Sequence, residues 1–188
     1  MRGFVVASCL AIGMSAASSP VWAQGAGPNV AAGYLNVAGG MHGVNAQVTV
    51  PFTRRWSVVG EFDSSSGFDC AGCAPRYRDV GVLGGVRYGW SPAPRVQPFW
   101  QLLAGGVRSS SGEYVVEYCC GLGRRLEPAS TAGYLAIQPG GGLTVMASRR
   151  VGLRAQFDAQ LAIPDQAAFE GVSVFPRVTV GAVIRLGR

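Results

Sequence analysis

Residues 151–163 read VGLRAQFDAQLAI. Val151, Leu153, Ala155, Phe157, Ala159, Leu161 and Ile163 fall on one face of an extended chain, and Arg154, Gln156, Asp158 and Gln160 on the other. Successive side chains of a β-strand point to opposite faces, so this period of two describes a strand with one apolar and one polar surface. The alternation recurs along the 188-residue chain and predicts strands near 30–38, 44–52, 56–63, 79–90, 96–108, 133–146, 151–163 and 175–187. Thr53-Arg54-Arg55, Ser91 to Arg95 and Ala147 to Arg150 are short connections after the second, fourth and sixth strands, whereas those after the third, fifth and seventh are long. Short turns therefore share one rim and long loops the other.

The amino-terminal segment adds an address. Residues 1–23 have a charged start at Arg2, an apolar run from Phe4 to Met14 and the ending Val21-Trp22-Ala23, a pattern that fits signal-peptidase cleavage before Gln24. A lipoprotein reading at Val6-Ala7-Ser8-Cys9 leaves too little chain before the cysteine for both a charged and an apolar region. No later stretch approaches the roughly 20 uninterrupted apolar residues of a spanning helix, so a membrane protein with this sequence crosses as strands. Export and alternation together predict an all-β, eight-stranded antiparallel up-and-down transmembrane β-barrel over residues 24–188, apolar towards lipid and polar towards the lumen. A soluble sandwich is the competing arrangement, because aromatic side chains also dominate soluble cores.

All sixteen basic residues are Arg and the formal charge is +6, but these Arg are scattered through turns and strands. Nucleic acid is therefore not an expected partner. The 28 Gly suit close packing in a narrow lumen. Phe52, Trp56, Trp90, Phe99 and Trp100 lie beside the short turns as candidates for an interfacial aromatic girdle, with Tyr77, Tyr114, Tyr118 and Tyr134 towards the other rim. Pro139, mid-strand and without a backbone donor, predicts a bulge or irregularity. The third long loop, Ser109 to Ala132, is long enough to continue its strands beyond the membrane as a hairpin.

With these features in place, and particularly VNAQVTVPF (44–52), VGLRAQFDAQLAI (151–163) and FPRVTVGAVIRLGR (175–188), the chain resembles the small eight-stranded outer-membrane barrels. That group includes the OmpA transmembrane domain, OmpX and the opacity-type proteins. The likeness covers essentially the whole chain after the leader and rests on architecture, with no catalytic motif among its marks. Members commonly end on an aromatic residue, whereas this chain ends Ile184-Arg185-Leu186-Gly187-Arg188, a departure that bears on recognition by the assembly machinery. No peptidoglycan-binding domain of the kind that follows the OmpA barrel is expected after the last strand.

The resemblance implies a non-enzymatic protein of the bacterial outer membrane that serves envelope integrity or surface interaction through its loops. Outer-membrane lipids, and a surface ligand or host molecule met by the loops, are the implied partners; a monomer without cofactor or metal is expected. An outer-membrane lipid-modifying enzyme and a secreted soluble barrel carrying a small ligand are the alternatives. The enzyme would need a base beside a nucleophile, for which His42, the single histidine, and Ser64, Ser65 or Ser66 are the candidates. Neither Gly81–Gly85 nor Gly140–Gly142 opens a helix, and without Lys there is no phosphate-loop motif.

Two further sets of residues carry chemistry. Cys70 and Cys73 (CAGC) and the adjacent Cys119 and Cys120 fall in the second and third long loops. An oxidising compartment favours disulfides between the loops. A bond within the adjacent pair is disfavoured, because neighbouring α-carbons are about 3.8 Å apart while disulfides prefer about 5.5 to 6 Å. A four-thiolate zinc site is the rival, against which the vicinal spacing speaks; nor does Ala74-Pro75-Arg76 begin the helix that a thioredoxin-like CAGC requires. The second set is a lumen charge network. Strand positions put Arg87, Arg154 and Arg185 at similar depth on the inward face, Glu61 slightly above, and Asp158 with Arg177 higher still. Glu61 is expected to balance the lower Arg group and Asp158 to pair with Arg177, plugging a lumen that eight strands leave just wide enough for side chains.

Overall fold

The computed structural model describes residues 27–38, 40–68, 76–90, 95–112, 114–117, 124–164 and 172–186. The expected leader, and the cysteines Cys70, Cys73, Cys119 and Cys120, lie outside the described residues. The strands are β1 (Asn29–Val37), β2 (Met41–Pro51), β3 (Trp56–Phe68), β4 (Arg76–Gly89), β5 (Val96–Ser111), β6 (Tyr114–Glu117), β7 (Arg124–Glu127), β8 (Ser130–Met146), β9 (Val151–Pro164) and β10 (Ser173–Arg185). All but β6 and β7 form one closed antiparallel barrel of eight strands, each beside its neighbour in sequence. Closure comes from β1 against β10, in register from Asn29↔Arg185 to Val37↔Arg177. Hydrocarbon offers no partner to an unpaired N–H or C=O, so a strand-built membrane protein must close in this way.

All eight expected strands are present, and most run further towards the loop rim than apolar alternation alone marks. β3 continues through Ser64–Ser66 to Phe68, and β5 pairs with β8 out to Ser111↔Ser130. The ladder persists there because hairpin partners remain in register after the lipid-facing pattern has faded. The third long connection carries the β6–β7 pair, so this loop does form a hairpin beyond the barrel strands. Pro139 produces no bulge. On the β9 side the ladder lapses at Gln138 and Pro139 and resumes at Gly140↔Asp158 in the register of Ile137↔Leu161, while the β5 side stays paired through Leu102↔Pro139.

Two short turns share one construction. In Thr53-Arg54-Arg55, the Thr53 hydroxyl accepts from the backbone N–H of Arg55 and Trp56 at 3.3 and 2.9 Å. In Ser148-Arg149-Arg150, the Ser148 hydroxyl accepts from Arg150 and Val151 at 3.3 and 3.0 Å. A hydroxyl bonded to the backbone two and three residues on is a local cap for a tight turn, and each turn holds its two Arg exposed at the rim. On the opposite rim, β1 turns into β2 through Gly40, whose φ of 82° lies in the left-handed region that glycine tolerates.

The faces divide as the alternation requires, with two corrections. Leu153, Phe157 and Val180 are 65, 58 and 54% exposed on the outer face, while Arg154, Gln156 and Asp158 between them are buried. At the short-turn rim, Trp56, Tyr88 and Trp100 pack edge-on and stacked, at centroid distances of 5.2 to 5.7 Å, as part of the outer girdle. Phe99, however, belongs to the lumen, since its odd position on β5 turns it inward. Nor is the lumen uniformly polar: Val59, Leu83, Leu103, Val107 and Ala136 form an apolar cluster along the β3–β4–β5–β8 wall, with Tyr134 against it.

Lipid exposure makes the faces unequal in their tolerance of charge. Leu153→Arg or Phe157→Arg should each lower the unfolding free energy of the protein in phosphatidylcholine vesicles by about 2 to 4 kcal/mol if near the bilayer midplane. Gln160→Ala, on the inward face of the same strand, should insert as the wild type does. Urea titration of the vesicle-inserted protein reads both.

Candidate functional site

The inward positions of β2, β3, β4, β5, β8, β9 and β10 converge at mid-barrel on a network of glutamines, carboxylates and guanidiniums. Gln47 is its hub. Its Oε1 accepts from Arg87 Nη2 at 2.7 Å and Arg154 Nη1 at 2.9 Å. Its Nε2 donates to Glu61 Oε2 at 2.6 Å and Gln156 Oε1 at 3.1 Å. A primary amide carries an acceptor and two donors at the end of one side chain, so it can stand between a cation and an anion and satisfy both.

The pattern repeats. Gln138 accepts from Arg177 Nη1 at 2.6 Å and donates to Glu61 Oε1 at 2.9 Å. Gln101 accepts from Arg87 Nε at 3.1 Å and from its Nη2, and donates to Asp158 Oδ1 at 3.3 Å. Gln156 donates to Asp158 Oδ2 at 2.6 Å. Each of these glutamines is buried, where an unmatched polar group costs about 1 to 3 kcal/mol. The amides thus join opposite walls into one connected set.

Among the described residues, direct ion pairing is confined to the loop-rim side of this network. Arg177 Nη2 lies 3.0 Å from Asp63 Oδ2 and 3.8 Å from Glu61 Oε1. Arg177 and Asp158 are opposite one another in the β9–β10 ladder, but the expected pair between them does not form. A guanidinium on a long stem reaches across a narrow lumen to β3 more readily than it folds back on its own wall, and Asp158 is already held by Gln101 and Gln156. Glu61 likewise stands one amide away from Arg87 and Arg154 and makes its ion pair with Arg177. Asp63, two residues beyond Glu61 and therefore on the same face, was legible by periodicity alone.

Below the hub, Arg87 and Arg154 are held by neutral oxygens: Arg87 donates to Thr49 at 3.2 Å, and Arg154 to Thr144 at 3.1 Å and Asn29 at 3.2 Å. Phe99 lies beneath both, with guanidinium carbons 4.1 and 5.2 Å from its ring centroid, within the reach of cation–π attraction. Arg185 does not join them; it is half-buried near the short-turn rim, opposite Asn29, and its Nη2 is buried without a hydrogen-bond partner among the described residues. Near the loop rim, Asn45 Nδ2 and Gln160 Nε2 are likewise buried without one. Glycine makes the layer possible at Gly140, where a Cβ would sit 1.7 Å from Asp158 Oδ1.

His42 and Ser66 are cross-strand partners on the outer face near the loop rim. His42 Nδ1 accepts from the Tyr34 hydroxyl and the Asn36 amide, and no hydrogen bond joins it to Ser66 among the described residues. The cysteine candidates add nothing to this geometry, as they lie outside the described residues.

No protein-family model and no characterised protein matches the sequence. Solved structures do match. Ail, the attachment invasion locus protein of Yersinia pestis, superposes with a TM-score of 0.55 at 18% identity, over 86% of this chain and 99% of that one. Neisserial surface protein A superposes with a TM-score of 0.55 at 10% identity, over 85% of this chain and 96% of that one. OprG from Pseudomonas aeruginosa gives 0.50 at 10% identity, over 88 and 99%. The chain has the fold of the small eight-stranded outer-membrane barrels. Its apolar outer face and this fold put it in a bacterial outer membrane. Ail has also been solved in complex with the heparin analogue sucrose octasulfate.

The hub and its glycine should behave differently from isolated lumen positions. Gln47→Leu leaves Glu61 short of a donor and two guanidiniums short of an acceptor, an expected loss of about 2 to 5 kcal/mol of unfolding free energy. Gly140→Ala should cost about 1 to 3 kcal/mol through displacement of Asp158. Equilibrium unfolding in lipid vesicles measures both, with Gln160→Ala as the reference.

Proposed function

We propose that the protein is a non-enzymatic outer-membrane barrel whose lumen is shut and whose work is done by its surfaces. The short-turn rim faces the periplasm and the long loops face outward, where they meet a surface ligand or a host molecule; the barrel itself contributes to envelope integrity as a monomer among outer-membrane lipids. The observation that carries this reading is the amide-linked layer of Gln47, Glu61, Gln138 and Arg177, which spans the lumen at mid-height. A barrel of this size has no width left for a general diffusion path once such a layer is in place. The complex of Ail with the heparin analogue sucrose octasulfate is the precedent for a barrel of this architecture meeting a polyanionic ligand.

Inter-loop disulfides among Cys70, Cys73, Cys119 and Cys120 would hold those loops in one presented shape. Non-reduced peptide mass spectrometry of the exported protein should find these cysteines oxidised; four free thiols or stoichiometric zinc would remove that element. For the reading as a whole, the purified protein in planar bilayers should show no sustained conductance, and its expression should raise binding of cells to host surface or matrix preparations. Deletion of the third loop should abolish that gain. A steady pore, or adhesion indifferent to all loops, would refute it.

A second reading, an outer-leaflet lipid-modifying enzyme, rests on His42 opposite Ser66 with Asn36 on the imidazole. It ranks below the first because serine and imidazole are not hydrogen-bonded. Lipid A and phospholipid mass spectra unchanged by His42→Ala and Ser66→Ala would dispose of it.

A further inference from the structure

The short-turn end of the lumen opens into a cavity of about 270 Å³. Arg87 and Arg154, 5 and 6% exposed, line its inner end with Phe99, and Arg54, Arg55 and Trp90 line it with them. Among the described lining residues there are four arginines and no carboxylate. At about 30 Å³ per molecule of liquid water the space has room for several waters, and so for a tetrahedral anion with part of its hydration.

The buried pair retains donors to offer. A guanidinium has five N–H groups. The bonds of Arg87 to Gln101, Thr49 and Gln47 use four of them, and those of Arg154 to Thr144, Gln47 and Asn29 use three. One N–H on Arg87 and two on Arg154 are left without a partner among the described residues. The nearest counter-charges by connectivity, Glu61 and Asp158, each lie beyond a glutamine amide, Gln47 and Gln101 respectively; Glu61 is taken up by Gln47, Gln138 and Arg177, and Asp158 by Gln101 and Gln156. Two guanidiniums converging on one amide oxygen repel each other, and an anion placed below them would relieve that repulsion. The lower lumen is thus a preformed positive recess entered from the rim that displays the Arg54-Arg55 pair.

We propose that this vestibule binds a phosphate-type oxyanion, with Arg87 and Arg154 as the buried contacts and Arg54 and Arg55 as the entrance charges. Its source is either free phosphate or the headgroup of an anionic phospholipid at the rim. The recognition is the same in both cases: charge-assisted hydrogen bonds from planar guanidiniums to the oxygens of a phosphate.

The test uses the mature barrel folded in a maltoside detergent, in phosphate-free buffer at constant ionic strength. Inorganic phosphate and a short-chain phosphatidylglycerol are titrated separately by calorimetry. Saturable binding weakened about tenfold or more by Arg87→Gln and by Arg154→Gln, the effect of losing one charged hydrogen bond, and unaltered by Arg150→Gln, supports the site. Phosphate binding in that pattern identifies the free ion as a source; phosphatidylglycerol binding alone identifies the lipid headgroup. Because the buried variants can disturb the network, Arg54→Gln with Arg55→Gln, both exposed, is the second arm and should weaken binding several-fold with the unfolding midpoint unchanged. Absence of binding by either probe, binding indifferent to Arg87 and Arg154, or a loss equal in Arg150→Gln would overturn the proposal.

Discussion

Closure of β1 on β10 is the constraint from which the rest follows. A sheet of eight strands pays for its passage through hydrocarbon by leaving no edge, and the ladder from Asn29↔Arg185 to Val37↔Arg177 completes it. Closing so few strands fixes a narrow bore, in which inward side chains from opposite walls touch. A polar group inside then depends for its partner on what faces it. The outer face has the simpler task of meeting lipid, which Leu153, Phe157 and Val180 do without partners.

Within that bore the charges are kept from direct contact more often than they are paired. Glutamine amides stand between Arg87 and Glu61, between Arg87 and Asp158, and beside the Arg177–Glu61 pair. Burying a bare ion pair is weak ground for stability, since desolvation offsets much of the attraction. Spreading each charge over several oriented dipoles satisfies more of its hydrogen-bonding capacity and ties more strands together. The division that results, with Asp63 on the loop-rim side of the layer, paired to its Arg177, and Arg87 and Arg154 below it, gives the two ends of the lumen different chemistry. Carboxylates are absent from the described lining of the lower end, which is why that end, and not the upper, invites an anion.

What the sequence disclosed was whatever depends on period and spacing. The alternation in 151–163 assigns those residues to their observed sides of β9, and the short Thr53-Arg54-Arg55 and Ala147–Arg150 connections identify one rim. The network residues Glu61, Arg87, Arg154, Asp158 and Arg177 were found on the inward face by the same logic. Their pairing was not, because period describes neighbours along and across adjacent strands, whereas Arg177 reaches Asp63 and Glu61 across the bore. Gln47, Gln101 and Gln138 escaped notice for a related reason: an uncharged amide has no sign to balance, so its role shows only once both its neighbours are placed. Nearness to a turn places Phe99 with the girdle, but its parity on β5 turns it inward.

The most direct test of the central claim, that groups on opposite walls satisfy one another across a closed lumen, is a double-mutant cycle between Glu61 on β3 and Arg177 on β10. Unfolding free energies of Glu61→Gln, Arg177→Gln and the double variant are measured in phosphatidylcholine vesicles. The structure predicts that the double variant is less destabilised than the sum of the singles, with a coupling of about 1 to 3 kcal/mol. Additivity to within about 0.5 kcal/mol would mean that the two side chains do not meet, and would contradict a lumen joined across its bore.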